Sequence, residues 1–270
     1  METISYRHFT GTGAENYERY FVPAIATPVS VELLRAADLQ PGERVLDVGC
    51  GTGVIARQAA VDVGPSGSVT GIDVAPDMVA LAEAQPAPEG APIEWHQGDA
   101  STLPFGDGTF DVVVSQMSLM FIADRPAAVR EMQRALADGG RVIVNTPGPI
   151  QPTFELMERA IVEHISPDLA GFVRMVFSMN EPDALAALLT DAGFADVEAR
   201  TYSATFDLPA PVDFLWQYIN LTPMGPLVAE APESAKAAME AQVASTWQPF
   251  VHNGRTPVDQ PMLLAVGAKS

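Results

Sequence analysis

The chain has 270 residues, of which 47% are hydrophobic, and its formal net charge is -19. This length and apolar content are sufficient for a sizeable core and exclude disorder as a description of the whole chain. The negative charge repels phosphate groups and only two lysines, Lys236 and Lys269, are present, so neither nucleic acid nor an anionic membrane is expected as a partner.

The cellular setting is predicted from the cysteine count and the apolar runs. The single Cys50 rules out an internal disulfide, which favours a reducing environment. No apolar run approaches the length that spans a bilayer, and residues 1–7 lack the basic-then-apolar build of a signal peptide. We therefore expect a cytoplasmic protein.

An N-terminal helical arm is predicted over residues 1–40. Its first helix is expected at about residues 15–20. A second helix is expected to begin at Thr27-Pro28, a favourable N-cap and first-turn pair, and to end at Pro41-Gly42.

Strands that alternate with helices follow this arm. Apolar runs predict five strands, at residues 44–48, 68–74, 93–96, 110–115 and 141–145. Helical patterns follow the first two strands and precede the fifth. This alternation favours a parallel sheet with helices on both faces, and right-handed crossovers make it doubly wound.

The pattern changes after Pro147, where two helical stretches interrupt the alternation. They are predicted as capping insertions at residues 147–180 and 208–256. A helix and a sixth strand lie between them at 181–207, and a last strand falls within 257–270. With residues 41–146 as the cofactor-binding half, the prediction is a three-layer α/β fold: a doubly wound, mostly parallel seven-stranded sheet with helical caps.

The central motif is a buried strand that ends in an acid and is followed by a glycine-rich turn and a helix. It spans residues 45–53 and contains Asp47, Gly49, Gly51 and Gly53. Glycines let the backbone come close to a ligand, and a helix N-terminus offers unpaired N–H groups. The motif is typical of a site for a small anionic or nucleotide-like group.

Polar residues also follow the next three strands at the same edge of the sheet. Asp73 is placed to accept hydrogen bonds from a ribose diol, and Asp99 from an exocyclic amine such as that of adenine. Gln116 follows the fourth strand. Ligands of open parallel sheets bind at this edge, so the three residues and the glycine turn predict one site.

Taken together, the segments 45–53, 71–78, 98–113, 131–141 and 192–194 resemble class I S-adenosylmethionine-dependent methyltransferases. Within that family, the chain is most similar to the subgroup of ubiquinone and menaquinone C-methyltransferases and many small-molecule methyltransferases. The resemblance covers about residues 40–205 and the last strand, and leaves the capping insertions without a motif.

The resemblance implies S-adenosylmethionine as cofactor and a role for each matching residue. The three glycines would approach its methionine part, and Asp47 would hold the loop and the amino group. Asp73 would bind the ribose. The other cofactor contacts implied are Val74, Met78, Asp99, Ala100 and Gln116.

The acceptor and the catalytic base are predicted less sharply. A hydrophobic pocket for a small, partly apolar metabolite is expected from Phe172, Met175, Phe177 and Trp216. Methyl transfer from a sulfonium is an in-line displacement, which needs alignment and exclusion of water but no metal. Candidate bases, where one is needed, are Tyr17, His8, His164, His252 and Tyr202.

Two other functions stay open from the residues. Gly51, Gly53 and Ala56 would also suit a nicotinamide dinucleotide and hence an oxidoreductase. A protein that binds S-adenosylmethionine without catalysis is the second alternative, and a homodimer is an open option for its assembly.

Overall fold

The structure, a computed structural model, describes residues 12–270. Its sheet has seven strands in the order β3-β2-β1-β4-β5-β7-β6. Strands β1 to β5 are mutually parallel, whereas β7 runs antiparallel to both β5 and β6. The strands are β1 Arg44–Val48, β2 Ser68–Asp73, β3 Ile93–Gln97, β4 Phe110–Gln116, β5 Leu136–Pro147, β6 Ala195–Leu208 and β7 Thr256–Ala268. The predicted doubly wound, mostly parallel sheet is confirmed.

Helices cover both faces of the sheet and build the cap. The α-helices in the described residues are α1 Thr12–Asn16, α2 Thr27–Ala37, α3 Val54–Val63, α4 Pro76–Ala84, α5 Arg125–Ala135, α6 Pro152–His164, α7 Ala170–Val176, α8 Pro182–Asp191, α9 Pro211–Asn220, α10 Gly225–Ala229 and α11 Glu233–Trp247. Because helices cover both of its faces, β1 is buried over Val45–Val48, as central parallel strands are.

The N-terminal arm differs from the prediction of two separate helices. A π-helical segment, Tyr17–Ala26, joins α1 to α2 without a break. Thr27 is therefore not an N-cap: its N–H donates to the carbonyl of Val22, five residues back. The wider π-helical turn carries Pro23 within a continuous helix, where a regular α-helix would be disrupted.

Strands β5 and β7 are longer than predicted. Residues 138–140 were expected to end the preceding helix, with the fifth strand at 141–145, yet they lie within β5. The Gly139 N–H donates to the carbonyl of Lys269 at 2.9 Å, and the Lys269 N–H donates to that of Gly140 at 2.8 Å. This pairing with residue 269 holds the glycine-containing segment in the sheet, although Gly139 has a φ of 78° and the register with β4 shifts there.

The two predicted insertions pack together on one end of the sheet. A single hydrophobic cluster contains Phe172 from the first insertion and Phe214 and Trp247 from the second. Phe206 of β6 and Met262 of β7 belong to the same cluster. The cap is therefore anchored on the antiparallel strands, beside the carboxyl ends of the parallel ones.

Residues 12–270 contain neither a membrane-spanning helix nor a metal-binding cluster. None of their helices has both the length and the apolar character needed to cross a bilayer. No group of three His, Cys, Asp or Glu side chains in this range is arranged to hold a metal ion.

Candidate active site

The glycine turn after β1 has a backbone that favours glycine. Gly49, Gly51 and Gly53 have φ angles of 72°, 54° and 89°. At Gly49 a Cβ would lie 2.4 Å from the Cβ of Ser118, in the loop after β4. The Gly49 N–H also donates to the carbonyl of Ile72 at 2.8 Å. The turn is thus held between β2 and the loop after β4.

Asp73, at the tip of β2, ties that turn to the neighbouring strand. Its Oδ2 accepts the Gly51 N–H at 2.8 Å, and its Oδ1 accepts the Ala75 N–H at 2.9 Å. The Val74 N–H also donates to this carboxylate, which has about four lone-pair sites in all. The side chain is partly exposed to the cavity but surrounded by protein, and this desolvation raises its pKa. Asp73 thus retains acceptor capacity at the cavity, where the hydroxyls of a diol could donate to it.

Asp47 lies beneath the turn and does not line the cavity. Its Oδ2 accepts the Ala56 N–H at 3.1 Å, in the first turn of α3. Its Oδ1 is buried and has no hydrogen-bond partner among the described residues. Burial, with a contribution from the charge of Asp73, raises the pKa of Asp47 to about 7. A cation bound above the turn would stabilise the ionised form.

Asp99 and Ala100 stand at the tip of β3. Oδ1 of Asp99 accepts the Ser101 N–H at 2.9 Å, which shapes the short 3₁₀ turn Ala100–Thr102. Val74 and Met78, after β2, line the same region. An acid beside an apolar surface is a suitable environment for a purine ring with an exocyclic amine.

The N-terminal helix is fixed against the glycine turn. The Tyr17 ring lies 3.7 Å from the position that a Cβ would take at Gly51, and it stacks on Phe21 with ring centroids 4.8 Å apart. Arg57 donates to the carbonyl of Thr52 at 2.7 Å and forms an ion pair with Glu18 at 3.5 Å. Tyr17 is thereby placed at the wall of the site.

A cavity of about 1030 Å³ joins these groups to the cap. Towards the sheet it is lined by predicted cofactor-binding residues: Gly49, Gly51, Asp73, Val74, Met78, Asp99, Ala100 and Gln116. Towards the cap its wall is mainly apolar and includes Phe21, Met117, Met120, Phe121, Phe172, Met175, Val176, Tyr218 and Leu221. One space therefore has a polar end built on strand tips and an apolar end built on helices.

Several predicted site residues lie outside this cavity. Gly53 faces the Trp95 ring, which would lie 2.2 Å from a Cβ there. Phe177 lines a smaller neighbouring pocket. Trp216 donates its Nε1–H to Glu240 at 2.6 Å, and Tyr218 on the same helix lines the cavity instead. Successive helical residues differ by about 100°, so these two side chains point to nearly opposite sides.

Of the candidate bases, only Tyr17 lines the cavity among the described residues. His164 is bonded to Gln242 in the cap, and His252 lies exposed in the turn before β7. Tyr202 is hydrogen-bonded to Asn145, and burial raises its pKa. His8 lies outside the described residues. Burial and nearby acids also raise the pKa of the Cys50 thiol, which argues against its action as a nucleophile.

The residues that follow β4 also contribute to the site, although no sequence pattern predicted them. Met117, Ser118, Phe121 and Arg125 all line the cavity. Ligands of parallel sheets bind beyond the carboxyl ends of the strands, and this rule predicted Gln116. Applied a few residues further along the chain, it would also have predicted Met117 and Ser118.

These features fit S-adenosylmethionine, which combines a cation, a ribose diol and adenine. The unpartnered Asp47 oxygen lies beneath the turn, Asp73 retains acceptor capacity at the cavity, and Asp99 stands beside an apolar surface. The apolar end of the same cavity has room for a second molecule. These acceptor groups and the apolar surface beside them therefore agree with the cofactor that the motifs imply.

Comparison with known proteins gives the same class. Residues 45–140 match the model of the family described as a methyltransferase domain. The nocamycin O-methyltransferase of Saccharothrix syringae is 34% identical over 197 residues, which cover 68% of this chain and 70% of that protein. The demethylmenaquinone methyltransferase of Thermus thermophilus is 33% identical over 176 residues, which cover 60% and 80%.

A solved structure shares the fold over the whole chain. Phosphoethanolamine N-methyltransferase 2 of Haemonchus contortus, in complex with phosphomonomethylethanolamine and S-adenosylhomocysteine, aligns with a TM-score of 0.60 at 20% identity. The alignment covers 99% of this chain and 60% of that one.

The chain belongs to the S-adenosylmethionine-dependent methyltransferases, and S-adenosylmethionine is its cofactor. The comparisons give no support to a nicotinamide-dependent oxidoreductase or to a cofactor-binding protein without catalysis.

Proposed function

We propose that the protein methylates a small, partly apolar metabolite bound between Gln116 and the helical cap. The observation that supports this most is the continuous cavity of about 1030 Å³ with one polar and one apolar end. Sites for a single drug-sized ligand span roughly 300–1,000 Å³. The cavity is thus at the upper limit of that range, as expected for a cofactor and an acceptor side by side.

The polar end holds the cofactor in this proposal. Asp73 binds the ribose hydroxyls, Asp99 and the Ala100 N–H bind the adenine, and Val74 and Met78 pack on its ring. The turn at Gly49 and Gly51 approaches the methionine part. Asp47 and Gly53, which do not line the cavity, act by supporting that turn from α3 and from the Trp95 side.

The apolar end holds the acceptor. Phe172 and Met175, joined by Phe121 and Tyr218, form a wall of aromatic and thioether groups. Such a wall adapts to a flat or irregular apolar molecule. The names of both relatives contain a small molecule, nocamycin or demethylmenaquinone, which supports a small-molecule acceptor here.

The protein acts on the reaction by alignment and exclusion of water. When bound, S-adenosylmethionine supplies an electrophilic methyl group. Gln116 is fixed at the junction of the two ends because its Nε2 donates to the Ala26 carbonyl at 3.0 Å. Tyr17, on the same continuous helix, covers the turn. Both residues restrict the position of the acceptor, the main requirement of an in-line displacement.

The direct test is the substitution Asp73→Ala. It removes the proposed diol acceptor, and we expect S-adenosylmethionine binding to be lost in isothermal titration calorimetry. Asp62→Ala, which removes one exposed acid from α3, controls for the change in net charge and should bind as the wild type does. Unchanged affinity in Asp73→Ala would refute the cofactor placement.

The remaining expectations belong to the same proposal. The buried free Cys50 and the net charge of -19 support a cytoplasmic enzyme without a nucleic-acid partner. The division into arm, cofactor half and two insertions is supported by the cap cluster. A homodimer is compatible with this function, and sedimentation velocity tests it.

A further inference from the structure

A second pocket of about 30 Å³ adjoins the main cavity. Four residues line both spaces: Phe21, Met117, Val176 and Tyr218. The pocket therefore lies directly behind the acceptor end. Its other apolar walls are Ile25, Pro147, Phe154, Phe177, Phe206 and Met262.

One polar side chain, Gln260 of β7, also lines this pocket, and its orientation is fixed. Its Nε2 donates to the carbonyl of Pro149 at 3.1 Å and to that of Pro261 at 2.7 Å. Carbonyl oxygens only accept hydrogen bonds, so the amide cannot be turned around. The side chain is 1% exposed, and its Oε1 has no partner among the described residues.

The local sequence explains why this oxygen is unpaired. Pro147, Pro149 and Pro261 surround the site, and proline has no N–H to donate. The Gly148 N–H, which is close by, donates to the Pro261 carbonyl at 2.8 Å. A buried acceptor without a partner is unfavourable. The pocket is thus lined by apolar side chains and by Gln260, whose buried Oε1 lacks a donor.

We propose that the end of the acceptor remote from the methylated atom enters this pocket and donates a hydrogen bond to Oε1 of Gln260. The inference rests on the proposed function, because it assumes that the acceptor occupies the apolar end of the cavity. It narrows the substrate class to an elongated, mainly apolar molecule with a hydroxyl or N–H group at its far end.

The size of the pocket sets which group enters. A space of 30 Å³ admits a group of about the size of a water molecule, but not a ring. The apolar body stays in the main cavity, and only the polar tip passes Met117 and Val176. A site that bonds such a tip discriminates against analogues without it, because its own acceptor is then left unpaired.

The experiment uses two probes of similar shape, 2-naphthol and 2-methylnaphthalene, and protein saturated with S-adenosylhomocysteine. Calorimetry should show that the wild type binds 2-naphthol about tenfold more tightly, the size expected of one hydrogen bond. In Gln260→Met, which keeps the length of the side chain without its acceptor, the ratio should fall to about one.

A second variant guards against a folding defect in the first. Val176→Phe narrows the passage and leaves Gln260 in place, and it should also reduce the ratio to about one. Both variants should bind S-adenosylhomocysteine within twofold of the wild type. A wild type without donor preference, as when a permanent water satisfies Oε1, would overturn the inference. Loss of S-adenosylhomocysteine binding by the wild type would instead overturn the proposed function.

Discussion

The two ends of the cavity are built from different parts of the polypeptide. At the cofactor end, backbone groups set the geometry: the N–H groups of Gly51 and Ala75 hold the Asp73 carboxylate at 2.8 and 2.9 Å. At the acceptor end the wall consists of side chains on helices, such as Phe172 and Tyr218. Backbone geometry tolerates little change, whereas side chains are readily exchanged. One cofactor site can therefore be combined with many acceptors.

The largest effect is expected from a deletion at the acceptor end. Phe172 is 2% exposed and packs beside Phe121 and Tyr218. Phe172→Ala should lower the free energy of unfolding by about 3–5 kcal/mol, because it leaves a cavity in the cap. Urea denaturation measures this loss. S-adenosylhomocysteine affinity should stay within twofold, and a tenfold drop would show that the two ends are not independent.

A comparison within the cofactor end separates crowding from backbone strain. Gly49 and Gly51 both have positive φ, but only Gly49 faces Ser118, 2.4 Å from where a Cβ would stand. Ser118 is bonded to the Val48 carbonyl and cannot easily move. Gly49→Ala should cost about 2–4 kcal/mol of stability, and Gly51→Ala about 1 kcal/mol. Thermal or urea unfolding of the cofactor-free variants measures both losses of stability. Equal losses in Gly49→Ala and Gly51→Ala would show that crowding against Ser118 adds nothing.

The pH dependence of stability tests the buried acid of the cofactor end. The pKa of Asp47 is about 7 in the folded chain, above the value of about 4 in unfolded chains. Between these values the folded state binds more protons, so stability falls as pH rises. From pH 5 to 7.5 the free energy of unfolding of the wild type should therefore fall more than that of Asp47→Asn.

Two groups of acids bear on that measurement. The pKa of Asp73 is also raised, so the free energy of unfolding of Asp47→Asn should still fall as pH rises, but less steeply than that of the wild type. Acids with lowered pKa, such as Glu32 at about 2, finish titrating below pH 5 and do not contribute. Identical slopes in wild type and variant would contradict the assignment to Asp47.

The smallest effect concerns the link between the two ends. Arg125, after the loop that follows β4, donates to the Ser178 hydroxyl at 3.1 Å, at the end of the first cap segment. Ser178→Ala removes this bond, and amide exchange in residues 170–178 should accelerate about two- to fivefold. Exchange in β1 serves as the internal control. An unchanged rate in the cap would mean that the bond does not restrain it.

The sequence predicted best what is decided locally. Strand β1 was predicted within its observed bounds, because a buried run ends at an acid and a glycine turn. The strand-tip acids Asp73 and Asp99 followed from the same pattern and lie at the cavity. These features depend only on residues that are neighbours in the chain, because a continuous apolar run followed by glycines indicates a buried parallel strand and its turn.

What depends on distant partners could not be predicted. The segment of β5 around Gly139 is held in the sheet by Lys269, 130 positions later. The choice between Trp216 and Tyr218 as cavity residues depends on how α9 is rotated in the cap, and both are aromatic. The Gln260 pocket combines residues from many separate helices and strands, so no local pattern points to it.

The place of β7 between β5 and β6 has a consequence for synthesis on the ribosome. The first four strands pair with one another over residues 44–116 and can assemble early. Strand β6, although made before β7, joins the sheet only through it. The cap rests on these two strands. A nascent chain can therefore form the cofactor end while the acceptor end waits for Thr256–Ala268 to emerge, and until then the apolar cap helices lack the strands on which they pack.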